Sequence, residues 1–252
     1  MRWSRLASVA LAGTVLAGCA VHPVVLEPER SAGVIGVRLG RPGLVVAAPH
    51  GTSDPRTAEI ADAIARRTGF GLVVATGFAL EPDGPTGPGR RYQVNRPLEG
   101  VPGRRAHEET ATPEAQRVYE AWERRVEEAA QGPLAFYAEI HGNGRTEAAG
   151  RIEIATVGVD RDGAVRLRAL FELIRDAHLR GHPGAPRLEV RVEPADPLVY
   201  TASGAKRWGI LRRPSRALHI ELPRAARHDW RAVYSAILAD FLAQAVTLPA
   251  AR

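Results

Sequence analysis

The sequence is short of sulfur. Its 252 residues include one cysteine, Cys19, so no disulfide forms within the chain. Lysine is as scarce: Lys206 is the only one, and arginine carries nearly all the basic charge. The two serve alike on most solvated surfaces, so this bias reflects composition and marks no partner. The apolar run from Leu6 to Ala17 is too short for a comfortable membrane span. No Walker loop or dinucleotide fingerprint occurs, and "GTSD" is not a nucleophile elbow. Internal repeats and low-complexity blocks are absent as well. Charge is only mildly unbalanced, with 34 basic against 28 acidic side chains and a formal net charge of +6. That excess does not argue for nucleic acid as a partner.

What is present begins with a segment set apart from the fold. "MRWSRLASVALAGTVLAGCA" places Arg2 and Arg5 before an apolar run and ends it on Leu-Ala-Gly-Cys. Residues 1–18 therefore read as a secretory signal. The ending resembles the bacterial lipobox, in which the cysteine is lipidated and becomes the mature N-terminus. Cys19 is then the lipidation site, and the protein is expected in the bacterial cell envelope, exported and held to the membrane by its lipid anchor. Residues 19–32, with two prolines and mixed charge, read as a tether. Residues 33–252 are long enough for a single α/β catalytic domain, and a hydrophobic share of 45% supports a real core. Losing Arg2 and Arg5 leaves a small positive excess that suits anionic headgroups or an anionic substrate.

Within that domain, apolar runs and helical periodicities alternate. Val34–Leu39 and Leu44–Ala48 read as strands separated by a turn at Gly40–Gly43. Residues 55–68 carry Ala58, Ile60, Ala61, Ile64 and Ala65 on one helical face, and Gly69 ends it. Residues 71–78 form another buried strand. Residues 81–105 then read as a long loop rich in Gly, Pro and Arg. A helix over 113–131 follows, striped by Val118, Ala121, Trp122 and Val126. Further strands are expected over 134–143, 151–159, 187–194 and 216–223, with helices over 162–180 and 228–246. The alternation implies an α/β three-layer sandwich around a mixed, mostly parallel central sheet. Ligands of such sheets gather at the carboxyl ends of the strands.

Three strand ends carry chemistry-bearing residues: "APHGTSD", "AEIHGNG" and "LHIELPR". His50 and His141 can each offer a neutral imidazole to a divalent metal, and Asp54 can add a carboxylate. Two histidines and a carboxylate with an open fourth position make up a hydrolytic zinc site. Glu221 is placed to move the proton of the attacking water. Asp54 has a second reading, because it stands directly before Pro55 and would make a good helix N-cap. In "HIEL" and "EIH", His219 shares a strand face with Glu221 and Glu139 with His141, so His219 and Glu139 read as outer partners of the other two. Asn95-Arg96 in the long loop offers an amide beside a guanidinium fork suited to a substrate carboxylate. Arg90, Arg91, Arg104 and Arg105 crowd the same segment and read as a solvated basic loop. His178 and His182 have the spacing of a helical metal pair. They lack the glutamate of "HExxH", and Gly181 and Pro183 break the helix there.

Taken in order, "PHGTSD", "VNRP", "EIHGN" and "HIELPR" resemble the N-formylglutamate amidohydrolase group and, more distantly, the zinc carboxypeptidases and aminoacylases. The similarity runs from about Val45 to Leu242. It implies a carboxypeptidase-like sandwich fold and a Zn2+-dependent hydrolase of an amide bond next to a free carboxylate. By the resemblance, His50 and His141 are zinc ligands and Glu221 is the general base. Asn95 and Arg96 contact the substrate, with Arg96 also polarising its carbonyl. Carboxypeptidase-type sites have a glutamate three residues after the first histidine; here Ser53 stands there and Asp54 follows, which leaves the third ligand open. The expected substrate is an N-acylated amino acid or small peptide. Two other readings stand beside it: a non-catalytic envelope lipoprotein that binds a small anionic ligand, and a hydrolase of peptidoglycan peptides.

Overall fold

The computed structural model describes residues 33–80, 89–101, 104 and 106–248. The expected signal segment, the tether and Cys19 lie outside the described residues, as does Arg105. Among the described residues, ten strands and six α-helices follow in the order β1 (Val34–Arg38), β2 (Arg41–Ala48), α1 (Thr57–Thr68), β3 (Phe70–Thr76), β4 (Ala79–Leu80), β5 (Arg90–Tyr92), β6 (Glu99–Gly100), α2 (Pro113–Ala130), β7 (Phe136–Gly142), β8 (Arg151–Val157), α3 (Arg161–Leu179), β9 (Glu189–Val192), α4 (Ser203–Trp208), β10 (Arg216–Leu222), α5 (Arg224–Arg227) and α6 (Arg231–Ala245). Among the described residues, no helix is long and apolar enough to cross a membrane.

Seven strands form one sheet in the order β1-β3-β2-β7-β10-β8-β9. The β1–β3 and β10–β8 pairs are antiparallel and the other four are parallel, giving the mixed, mostly parallel sheet that the sequence implies. Its central strands have few polar residues because both faces are covered. Val46, Ala48, Ile140 and Ile220 face the layer of α1, α3 and α6. Val45, Ala47, Tyr137 and Ala217 face α2 and α4 on the other side. Helices on both faces make the three layers of an α/β sandwich.

Several helix ends follow from their residues. Thr112 caps α2 by accepting from the Ala115 N–H at 3.1 Å, with Pro113 in the first turn, and Asp160 caps α3 through Gly163. Gly69 ends α1 in a left-handed conformation at φ 73°.

Other elements depart from the sequence reading. The segment expected as a turn at Gly40–Gly43 is mostly strand: β2 already starts at Arg41, and its pairing with β3 shifts register between Arg41 and Val45. The segment expected as one long loop contains β5 and β6, which join β4 in a small three-stranded antiparallel sheet. The last helix starts at Arg231, behind the separate turn of α5. Helix α1 starts at Thr57, with Arg56 at its cap position and no side-chain cap. Asp54 is therefore not the helix N-cap, nor is Pro55 the first helical residue. The Asp54 carboxylate is turned away to other partners.

Candidate metal centre

The topology sets β2, β7 and β10 side by side and parallel, so their carboxyl ends meet at one edge. Register then aligns the side chains. Glu221 is paired with His141 and His219 with Glu139, and all four point to the α2 face because period-two alternation sends their apolar neighbours to the other. His50 enters from the turn after β2. All six polar side chains of this edge, with Asp54, are at most 7% exposed. Buried polar groups of this kind cost stability unless each finds a partner.

Three donor atoms converge. His50 Nδ1 lies 3.1 Å from Asp54 Oδ2 and 3.2 Å from His141 Nδ1, and His141 Nδ1 lies 3.3 Å from Asp54 Oδ2. In a four-coordinate site with bonds of about 2.0–2.1 Å, ligand atoms stand about 3.3 Å apart. The triangle has that spacing, and its donors are the nitrogen–nitrogen–oxygen set such a site uses. The residues present fit a divalent metal.

Each ligand candidate is oriented from behind. His50 Nε2 lies 3.0 Å from the Gln93 carbonyl. A carbonyl only accepts, so Nε2 carries the hydrogen and Nδ1 presents its lone pair to the triangle. Asp54 Oδ2 also accepts from the Gly142 N–H at 3.2 Å. His141 Nε2 faces Glu139 Oε1 at 3.3 Å.

Glu139, His141 and His219 form a second group whose polar atoms lie close together. It is better explained as an outer shell. The His141 and His219 rings stack with centroids 4.1 Å apart and planes 26° apart, so their in-plane lone pairs run alongside each other and do not converge. The Glu139 carboxylate is already held by Asn95 Nδ2 at 3.0 Å, Tyr137 Oη at 3.2 Å and His219 Nδ1 at 2.6 Å. His219 Nε2 in turn lies 3.0 Å from Glu221 Oε1. Glu221 Oε2 is buried without a hydrogen-bond partner.

The electrostatics separate the groups. Burial, with the Arg91 guanidinium next, lowers the His50 imidazole to about 4. Burial also opposes charge on His141, but hydrogen bonds with Asp54 and Glu139 outweigh it and raise that ring to about 10. Asp54 and Glu139 are held well below the usual carboxylate range: burial works against this, and the histidines beside each overcome it.

Two further arginines serve the site, and no sequence signal singles them out. Arg227 is 7% exposed and donates to the carbonyls of Leu222, Pro55 and Asn143, tying the ends of β7 and β10 to the turn before α1. Gly142 leaves room for it, since a Cβ there would stand 2.6 Å from Arg227 Cζ. Arg91 on β5 donates to Ser53 Oγ at 2.7 Å and stands 3.6 Å from Asp54 Oδ1. Its Nε is buried without a partner. With His50, Thr52 and Phe78 it lines a shallow cleft.

Arg96 does not line that cleft. Its fork closes on Glu109, Nε at 2.8 Å and Nη2 at 2.5 Å, and its Nη1 donates to Asn95 Oδ1 at 2.9 Å. Asn95 is fully buried, with both ends of its amide bonded to protein. The structure thus brings His50, Asp54, His141 and Glu221 together and sets Asn95 and Arg96 behind them. His178 is bonded to Asp240 at 2.8 Å, away from this edge.

No family model matches the sequence, and no curated protein matches it. Among solved structures, the chain is similar to a bacteriophage poly-gamma-glutamate hydrolase, at 12% identity and a TM-score of 0.45, over 85% of this chain and 87% of that one. It is similar to a gene product of Agrobacterium tumefaciens at 17% identity and a TM-score of 0.45, over 84% and 93%. A metallo-carboxypeptidase from Burkholderia cenocepacia is similar at 11% identity and a TM-score of 0.40, over 86% and 66%. All three likenesses are weak.

Proposed function

We propose that the chain is a zinc-dependent hydrolase of an amide bond next to a free carboxylate, with an N-acylated amino acid or small peptide as substrate. The observation that carries this reading is the triangle of His50, Asp54 and His141 donors, 3.1–3.3 Å apart, beside a buried carboxylate with one free oxygen. A divalent ion held by these three residues supplies Lewis acidity and brings the pKa of water towards neutrality.

The chain's own residues supply the rest. Glu221 Oε2 is the free buried acceptor, and it takes a proton from the attacking water. The water oxygen bonds to the amide carbon, the C–N bond breaks, and Glu221 returns the proton to the leaving nitrogen. His219 holds the other Glu221 oxygen, so the carboxylate keeps one orientation through both transfers. Arg91 lines the cleft, and its guanidinium binds the substrate carboxylate there, the role that the sequence alone suggests for Arg96. The Leu-Ala-Gly-Cys motif supports an envelope location with an anchor at Cys19.

The test is elemental analysis of soluble protein beginning after Cys19, beside a His50→Ala/His141→Ala double variant. About one zinc per chain, absent from the variant, supports the reading and opens a screen of N-acylated amino acids and short peptides. Protein that takes up no metal after zinc is supplied and the excess dialysed away overturns it. A non-catalytic anion-binding lipoprotein is then the better reading.

A further inference from the structure

Resting on the metal-binding reading above, we infer that the tight turn Gln93-Val94-Asn95 is the positioning element of the centre, locked from behind by Arg96 and Glu109. The turn closes with Asn95 N–H donating to the Gln93 carbonyl at 2.6 Å. Val94 at its middle has φ 59°. A β-branched residue in the left-handed region is a genuine outlier, and such strain persists only where the surroundings over-determine it. Here they do. The Val94 side chain is 1% exposed and packs with Tyr92, Ala205, Ile210 and Leu211. The Asn95 carbonyl accepts from Ile210 N–H at 2.9 Å.

The strained turn reaches both sides of the metal triangle from one short segment. Its first carbonyl lies 3.0 Å from His50 Nε2, which fixes the tautomer that leaves Nδ1 free. Its last side chain donates to Glu139 at 3.0 Å, and Glu139 backs His141 and holds His219. From the outer end, Glu109 grips Arg96 and Arg96 grips the Asn95 amide. An unbroken series of hydrogen bonds therefore runs Glu109–Arg96–Asn95–Glu139–His219–Glu221. It crosses from the segment after the small sheet, through two central strands, to the proposed base. Asn95 and Arg96 are positioning residues in this arrangement, and neither touches substrate.

The test measures zinc affinity and the visible spectrum of cobalt-loaded protein for Asn95→Ala and Glu109→Gln beside the unaltered chain. Losing an outer partner of a metal ligand costs about 10–100-fold in metal affinity. Asn95 holds the ligand's partner Glu139 and not a ligand itself, so Asn95→Ala is expected to weaken zinc binding by about tenfold, the lower end of that range. Glu109→Gln, at the outer end of the series, is expected to act in the same direction by less. At saturating cobalt both variants should show a shifted ligand-field band with an unchanged circular dichroism spectrum, which a merely structural role would not produce. If Asn95→Ala does not fold, Glu109→Gln decides alone. Unaltered affinity and spectrum in the folded variants, with metal bound normally by the unaltered chain, overturn the positioning role and leave the metal centre standing. An unaltered chain that binds neither metal overturns both.

Discussion

Glu221 has one oxygen on His219 and the other buried without a hydrogen-bond partner, and that asymmetry makes it the residue to test first. Glu221→Gln keeps the shape and the hydrogen bond but removes the base. Turnover should fall by about 10²–10⁴-fold while metal content stays at the unaltered level, checked by kinetics and elemental analysis on one preparation. Full activity in that variant removes Glu221 from the mechanism. Arg91 is tested differently. If it anchors a carboxylate, Arg91→Met should raise KM for carboxylate substrates by at least about tenfold, with less effect on kcat, because an interaction made equally before and during reaction shows in KM. An unchanged KM assigns Arg91 to Asp54 alone. The strand-end residues were legible because period-two alternation and the carboxyl-edge rule locate them. Arg91 was not, because it is one of several arginines in its segment and only the direction of β5 separates it from Arg96. The turn at Val94 was equally hidden, since no propensity places valine at positive φ.

At the scale of elements, α2 packs over β1, β2 and β3 on the same sheet face that bears the Glu139–His141 and His219–Glu221 side chains. Trp122 lies at its centre, fully buried against Tyr137's side of the sheet. Trp122→Ala should cost about 3–5 kcal/mol, since little in that layer can collapse into the space, and urea unfolding would read it. Thr112→Ala should cost only about 1 kcal/mol by removing a cap. If the two variants unfold alike, α2 is not the buried layer it is taken to be. Helix starts with one plain cap, such as Thr112-Pro113, were readable from sequence. The start of α1 was not, because Asp54-Pro55 imitates a cap while the carboxylate is drawn to His50, His141 and the Gly142 N–H. Local pattern cannot register such long-range competition. The same limit hid β5 and β6, whose three and two residues are too short to show a period.

For the whole molecule the decisive fact is strand order, which local periodicity does not encode. The order β2-β7-β10 gathers donors from positions 50, 141 and 221 into one buried group, and that group links metal, proton and fold. His141 is raised to about 10, so the metal-free protein carries a proton on that ring at neutral pH, held between Asp54 and Glu139. A metal must displace it. His50 is lowered to about 4 and has no proton to lose there. Zinc affinity should therefore rise about tenfold per pH unit from about pH 6 to 9, with one proton released per ion. The stability of the metal-free fold moves the other way. A histidine raised above its unfolded value contributes stability that is complete below about pH 6.5 and is lost as pH rises through about 10. Loaded protein at zinc 100-fold above Kd gains about 2.7 kcal/mol, and at fixed zinc the gain grows as Kd falls. The difference in Tm between zinc-loaded and metal-free protein should thus widen steadily from pH 6.5 to 8.5. Thermal scans of both forms across that range check it, with the His50→Ala/His141→Ala variant showing no gap at any pH. A gap that stays constant with pH would mean that His141 is already neutral in the metal-free protein, and that Asp54 and Glu139 do not act on it as their 3.3 Å approaches imply.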